Sequence, residues 1–229
     1  LSQHDTATRS GDCLRVWRID GAALQSAEFN LVKERHDAWC NVLRNLPAGR
    51  TAIYHHRIHR RIHDRLTDAV EPEFSAAFSK AYQDRISVAP MMSNELYITL
   101  LYRPFPSELA KRSARSAKTK QSLADHQAQT LATMEQQGAL IERSLREFGP
   151  TLLGCYEQDG NLFWESGELF SFLINGVWRK VRFPTGPAYQ ALPDARLTFG
   201  GGMLEIRQGE RRRYASMLSI KEFAGQVEP

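Results

Sequence analysis

Apolar positions along this chain recur with one of two periods, and the changes of period mark where elements begin and end. The best candidate for a central strand is Asn94-Glu95-Leu96-Tyr97-Ile98-Thr99-Leu100-Leu101-Tyr102-Arg103-Pro104. Leu96, Ile98, Leu100 and Tyr102 fall on one face of an extended strand, with Tyr97, Thr99 and Leu101 on the other, so both faces suit burial. Pro104 cannot donate to a ladder and holds Arg103 extended, which predicts the end of the strand there. Alternation with period two also marks residues 14–19, stopped by Asp20-Gly21, and residues 51–62. On the latter strand Tyr54, His56, Ile58 and Ile62 share one face, while His55, Arg57, His59 and Arg61 form a basic stripe on the other.

Spacings of three and four predict the helices. Ser26 reads as an N-cap with Glu28 in the first turn, and Phe29, Val32, His36, Trp39, Leu43 and Leu46 follow as a buried face closed by Pro47-Ala48-Gly49. A second helix begins at Pro72, with Phe74, Ala77, Phe78, Ala81 and Tyr82 inward. Residues 107–148 are helical in two parts. The first carries Lys111, Arg112, Arg115, Lys118 and Lys120 with no acid among them. The second carries Leu131, Met134, Gly138, Ile141, Leu145 and Phe148, and Gly149-Pro150 ends it. Residues 151–156 and 161–164 flank a turn at Gln158-Asp159-Gly160. Ser166 caps a short apolar helix stopped by Asn175-Gly176, and residues 184–193 form a loop. A closing hairpin runs over 203–208 and 212–223, turning at Gly209-Glu210.

With the second helix set aside, the order reads βαβ, βαβ, a duplicated split unit. The expectation is an α+β fold: an antiparallel or mixed sheet with helices packed on it, ferredoxin-like, plus a C-terminal hairpin extension. Residues 11–165 would form the core and 166–229 the extension.

Composition changes this picture little. The chain has 229 residues, 42% hydrophobic and 24% charged, with 30 basic against 26 acidic residues and a net charge of +4. Such a balance permits an anionic partner without requiring one. Cys13, Cys40 and Cys155 are odd in number and form no CxxC pair, so free thiols are expected. The longest uncharged apolar-rich run, residues 169–178, is about half of the ~20 residues that a spanning helix needs. The polar start after Leu1 and the polar close at Pro229 suggest a piece of a longer protein, without a signal peptide.

Chemical motifs are sparse. Neither GxxxxGK[ST] nor a helix-opening GxGxxG occurs, so nothing here would position a nucleotide and its magnesium. Gly200-Gly201-Gly202 precedes a strand and reads as a turn. His55, His59 and His63 share a strand face, but steps of four residues span about 13 Å, too far for one ion with bonds near ~2 Å. No catalytic, cofactor-binding or metal-binding residue is expected. The candidate partner-interface residues are His55, Arg57, His59, Arg61, Lys111, Arg112 and Arg115. The basic strand and the Lys/Arg-rich helix also leave open a stand-alone nucleic-acid-binding module.

Five segments in order carry a family resemblance: Gly11-Asp12-Cys13-Leu14-Arg15-Val16-Trp17-Arg18-Ile19-Asp20-Gly21; His55-His56-Arg57-Ile58-His59-Arg60-Arg61; residues 94–104; Phe172-Leu173-Ile174-Asn175-Gly176; and Met217-Leu218-Ser219-Ile220-Lys221-Glu222-Phe223. Together they resemble the amino-terminal domain of the VirB/TrbE/CagE-type ATPases of type IV secretion and conjugation systems. The resemblance implies an assembly and docking domain of an ATPase peripheral to the cytoplasmic face of the bacterial inner membrane. It further implies a homo-oligomer, commonly hexameric, in contact with small inner-membrane components of the channel and with other secretion ATPases. ATP and magnesium would serve a RecA-like domain absent from this chain.

Overall fold

The computed structural model describes residues 3–22, 28–62, 73–86, 91–105, 120–216 and 218. They fall into two compact units that meet in the chain between Leu153 and Gly154. Ser26, His63, Pro72 and the basic residues Lys111, Arg112, Arg115 and Lys118 lie outside the described residues.

The first unit contains β1 (Asp5–Ala7), β2 (Cys13–Ile19), α1 (Phe29–Asn45), β3 (Thr51–Ile62), α2 (Glu73–Ile86), β4 (Met91–Tyr102), α3 (Lys120–Ser144), a 3-10 turn (Arg146–Phe148) and β5 (Pro150–Leu152). The sheet runs β5-β2-β4-β3, every neighbouring pair antiparallel. β1 shares the outer edge of β2 with β5, pairing its first half while β5 pairs its end. β4 thus lies between β2 and β3, and β2 between β4 and β5, so each βαβ unit is split by a strand of the other. The α+β class is as the sequence predicts, while the strand order comes from the pairing alone; β4 begins three residues earlier than expected, at Met91.

The core lies between α1, α3 and one face of β2 and β4, and Trp17, Leu100, Met134, Ile141 and Val42 are at most 1% exposed. Each such side chain contributes about 1.5–3 kcal/mol by leaving water. Tyr97 and Thr99 are buried on the opposite face of β4, so both faces of that strand are covered. A polar clasp fixes α3 over β2. Arg15 is 4% exposed and donates from Nε and Nη2 to both oxygens of Asp5, at 2.8 and 2.9 Å. Its Nη1 reaches Glu135 at 2.9 Å, and Trp17 Nε1 donates to Glu142 at 2.8 Å. Gly138 lies between those acids on α3; a Cβ there would stand 2.9 Å from Arg15 Nη1 and 3.2 Å from Trp17 Cζ2.

Two helical faces differ from expectation. On α1 the inward residues are Trp39, Val42 and Leu46, with Arg35 lying over the Phe148 ring, whereas Phe29, His36 and Leu43 are exposed. The stripe that meets the sheet is therefore rotated by about one residue. On α2, Ala77, Phe78, Ala81 and Tyr82 are exposed rather than inward. This helix is inserted where Ile62 meets Met91, beyond the last pairing of β4 with β2 at Leu96.

The second unit begins with a hairpin, β6 (Cys155–Gln158) and β7 (Asn161–Trp164). Asp159 and Gly160 both have positive φ, the backbone of a tight hairpin turn. α4 (Glu165–Asn175) follows directly. Ser166 is buried within it instead of capping it, because Trp164 takes the N-cap position; a Cβ on Gly167 would overlap the Trp164 ring. Gly176 closes the helix at φ 67°. After α5 (Ala188–Ala191), the strands β8 (Arg196–Phe199), β9 (Leu204–Gln208) and β10 (Arg211–Ala215) form an antiparallel sheet, so the expected hairpin gains a third strand. Among the described residues no helix is long and apolar enough to cross a membrane.

Candidate docking surface

β3 is an edge strand: all twelve of its residues pair with β4, and among the described residues its other edge is free. Its two faces meet different chemistry because residues directly opposite in an antiparallel pair share a face. On one face Ile58 is buried, His56 is hydrogen-bonded to Thr99 at 3.0 Å, and Arg60 donates to Glu95 at 2.8 and 2.5 Å. Glu95 also accepts from the Tyr97 hydroxyl at 3.0 Å. Burial, and secondarily the charge of Glu95, pushes the Tyr97 phenol far above its ordinary range, so it acts as a donor. Burial also lowers the His56 pKa and keeps that ring neutral; the neighbouring His55 adds to the effect.

The other face begins in the core, where Ile53 lies opposite Leu100, and then emerges into solvent. His55, Arg57, His59 and Arg61 are all exposed, opposite Ile98, Leu96, Asn94 and Met92 respectively. His59 Nδ1–H donates to Asn94 Oδ1 at 2.8 Å. The four predicted strand residues thus stand together in one row, about 20 Å long from the rise per residue of a strand. Lys111, Arg112 and Arg115 lie outside the described residues.

The Arg15 clasp and the Glu95 cluster leave no trace in the sequence, since each unites residues far apart in the chain. Nor does the sequence show a cavity of about 170 Å³ near the start of α3, lined by Cys13, Phe105, His126, Thr130 and Leu131 among others. His126 Nε2 is buried there without a hydrogen-bond partner among the described residues, while its ring stacks on Phe105 at 4.9 Å. Burial, then the charge of Asp5, raises the Cys13 pKa, so it remains a neutral thiol rather than a nucleophile. Cys155 is likewise raised, by burial and then Glu165. Gly200-Gly201-Gly202 joins β8 to β9, with Gly200 N–H donating to Met203 O at 2.9 Å. It opens a strand instead of a helix, so its amides are not arrayed for a phosphate.

Two family models match the chain. One, described as the N-terminal domain of the type IV secretion system ATPase VirB4/TrbE, covers residues 6–114. The other, described as the CagE, TrbE, VirB family, component of type IV transporter system, covers residues 151–229. Among curated relatives, type IV secretion system protein PtlC of Bordetella pertussis is 34% identical over 237 residues, covering 100% of this chain. Type IV secretion system protein virB4 of Brucella abortus is 31% identical over 97% of the chain, and that of Bartonella quintana 25% over 100%. The chain spans only 28% of the length of the first two and 30% of the third. It belongs to the VirB4/TrbE family of type IV secretion system ATPases, and it corresponds to that family's amino-terminal region.

Proposed function

We propose that this chain is the assembly and docking part of a type IV secretion ATPase that energises building of the channel or pilus and transfer of its substrate. The observation that carries this reading is the twelve-residue edge strand β3, paired on one side only and presenting His55, Arg57, His59 and Arg61 to solvent. An exposed edge is a template for another chain, and a row of basic side chains restricts which chain fits. The surface suits other copies of this protein, other secretion ATPases or small inner-membrane components of the channel, on the cytoplasmic face of the membrane. Lys111, Arg112 and Arg115 belong to the same expectation. ATP hydrolysis with magnesium belongs to the part of the relatives' length that this chain does not span.

The test uses the full-length protein with Arg57→Glu and Arg61→Glu, both solvent-facing substitutions that should alter stability by no more than about 0.5 kcal/mol. Accumulation in cells and ATP turnover stay at the unsubstituted level, while substrate transfer and co-purification of the small membrane components fall by about tenfold or more. Transfer and co-purification at the unsubstituted level would overturn the proposal.

A further inference from the structure

The three-stranded sheet of the second unit sets three arginines abreast. Arg196 of β8 is directly opposite Arg207 of β9, which is directly opposite Arg212 of β10. Facing residues share a face, so the guanidinium groups leave the same side of the sheet within about 10 Å of chain width. All three residues are exposed, whereas Leu197, Leu204 and Ile206 turn to the other side and are half-buried or buried. Like charges set directly opposite destabilise a sheet. Relief is slight, for Glu205 approaches Arg212 at only 3.9 Å and, among the described residues, the Arg196 and Arg207 side chains make no hydrogen bond or ion pair. The row costs the fold stability, and an anion would repay it.

The flanking positions indicate which anion. Two residues along β10 on the same face stands Tyr214, 65% exposed. An open aromatic ring about 7 Å from a guanidinium matches alternating bases and phosphates. The face carries no aliphatic side chain to enter a lipid surface. We propose that the β8–β9–β10 face binds single-stranded nucleic acid, with Arg196, Arg207 and Arg212 on successive phosphates and Tyr214 stacked on a base. The site belongs to the second unit and uses none of the basic residues named from the sequence.

Fluorescence anisotropy of the 229-residue protein with a labelled single-stranded oligothymidine, over a salt series, tests this. Joint Arg196→Gln, Arg207→Gln and Arg212→Gln substitution weakens binding at least about tenfold and lowers the salt slope by about two units, the share of three phosphates on a single strand. Tyr214→Ser weakens binding about five- to a hundredfold and leaves the slope unchanged. The triple variant melts at or above the unsubstituted temperature, since a repulsive row is removed. Should it not fold, Arg207→Gln alone breaks the row at its centre and lowers the slope by about 0.7. The proposal is overturned by absence of binding at low salt or by unchanged binding in the arginine variants. It is equally overturned if binding is lost only in Arg57→Gln/Arg61→Gln, or if the arginine variants lose binding to phosphatidylglycerol vesicles while the oligonucleotide still binds.

Discussion

A guanidinium taken out of water must recover its hydration elsewhere, and Arg15 does so with three donors on two carboxylates. The partners are unequal: Asp5 is as buried as Arg15, whereas the Glu135 side chain is 76% exposed and adds less. Arg15→Met therefore strands the Asp5 carboxylate and costs about 3–5 kcal/mol in chemical denaturation, while the double variant Asp5→Leu/Arg15→Met recovers most of that loss. A double variant as unstable as the single one would show that the clasp does not act through Asp5. His56 gives a pH signature. Its folded pKa lies below the ordinary 6.5, so as pH falls below 6.5 the unfolded chain takes up the proton first. Stability is lost through the window from 6.5 down to the depressed folded value, and His56→Gln, which keeps a partner for Thr99, flattens that part of a stability–pH curve. An unchanged curve would contradict the assignment.

Between elements, short polar networks decide where the chain turns. Asn175 at the end of α4 donates to Ser171 O and Leu192 O, each at 2.8 Å, and accepts from Asp194 N–H at 2.9 Å. Arg179 adds bonds to Ser171 Oγ at 2.9 Å and Ala191 O at 2.6 Å. Together they fix the loop that carries α5 onto the end of α4. Asn175→Ala takes the acceptor from Asp194 N–H and one of three donors from Leu192 O, which keeps Ser171 Oγ and Arg179 Nη2, and costs about 1 kcal/mol, read as a lower denaturation midpoint with faster amide exchange over residues 191–194. In the sequence, Asn175-Gly176 was legible as a helix stop, because Gly176 tolerates positive φ; the network around Asn175 was not, since Leu192 sits in what read as a loop and Asp194 just past it. β8 was missed for a related reason: its four residues, Arg196-Leu197-Thr198-Phe199, carry too little alternation to announce a strand, and only pairing with β9 makes them one.

For the whole molecule, the expectation is that the 229-residue chain shows no nucleotide turnover and no ATP-dependent shift in melting temperature, because its one glycine cluster is a hairpin turn. Turnover that survives stringent repurification would overturn that. The sequence alone determined the α+β class, the long strands β3 and β4, the inward stripe of α3 and the family, since each rests on local periodicity or on an ordered set of segments. It also placed His55, Arg57, His59 and Arg61 on one face, because period two leaves no choice. Strand order, the true inward side of α1, the Arg15 clasp and the row of Arg196, Arg207 and Arg212 were decided only by the tertiary structure. Those features depend on which strand lies beside which, and a lateral neighbour across a sheet leaves no mark in the order of residues along the chain.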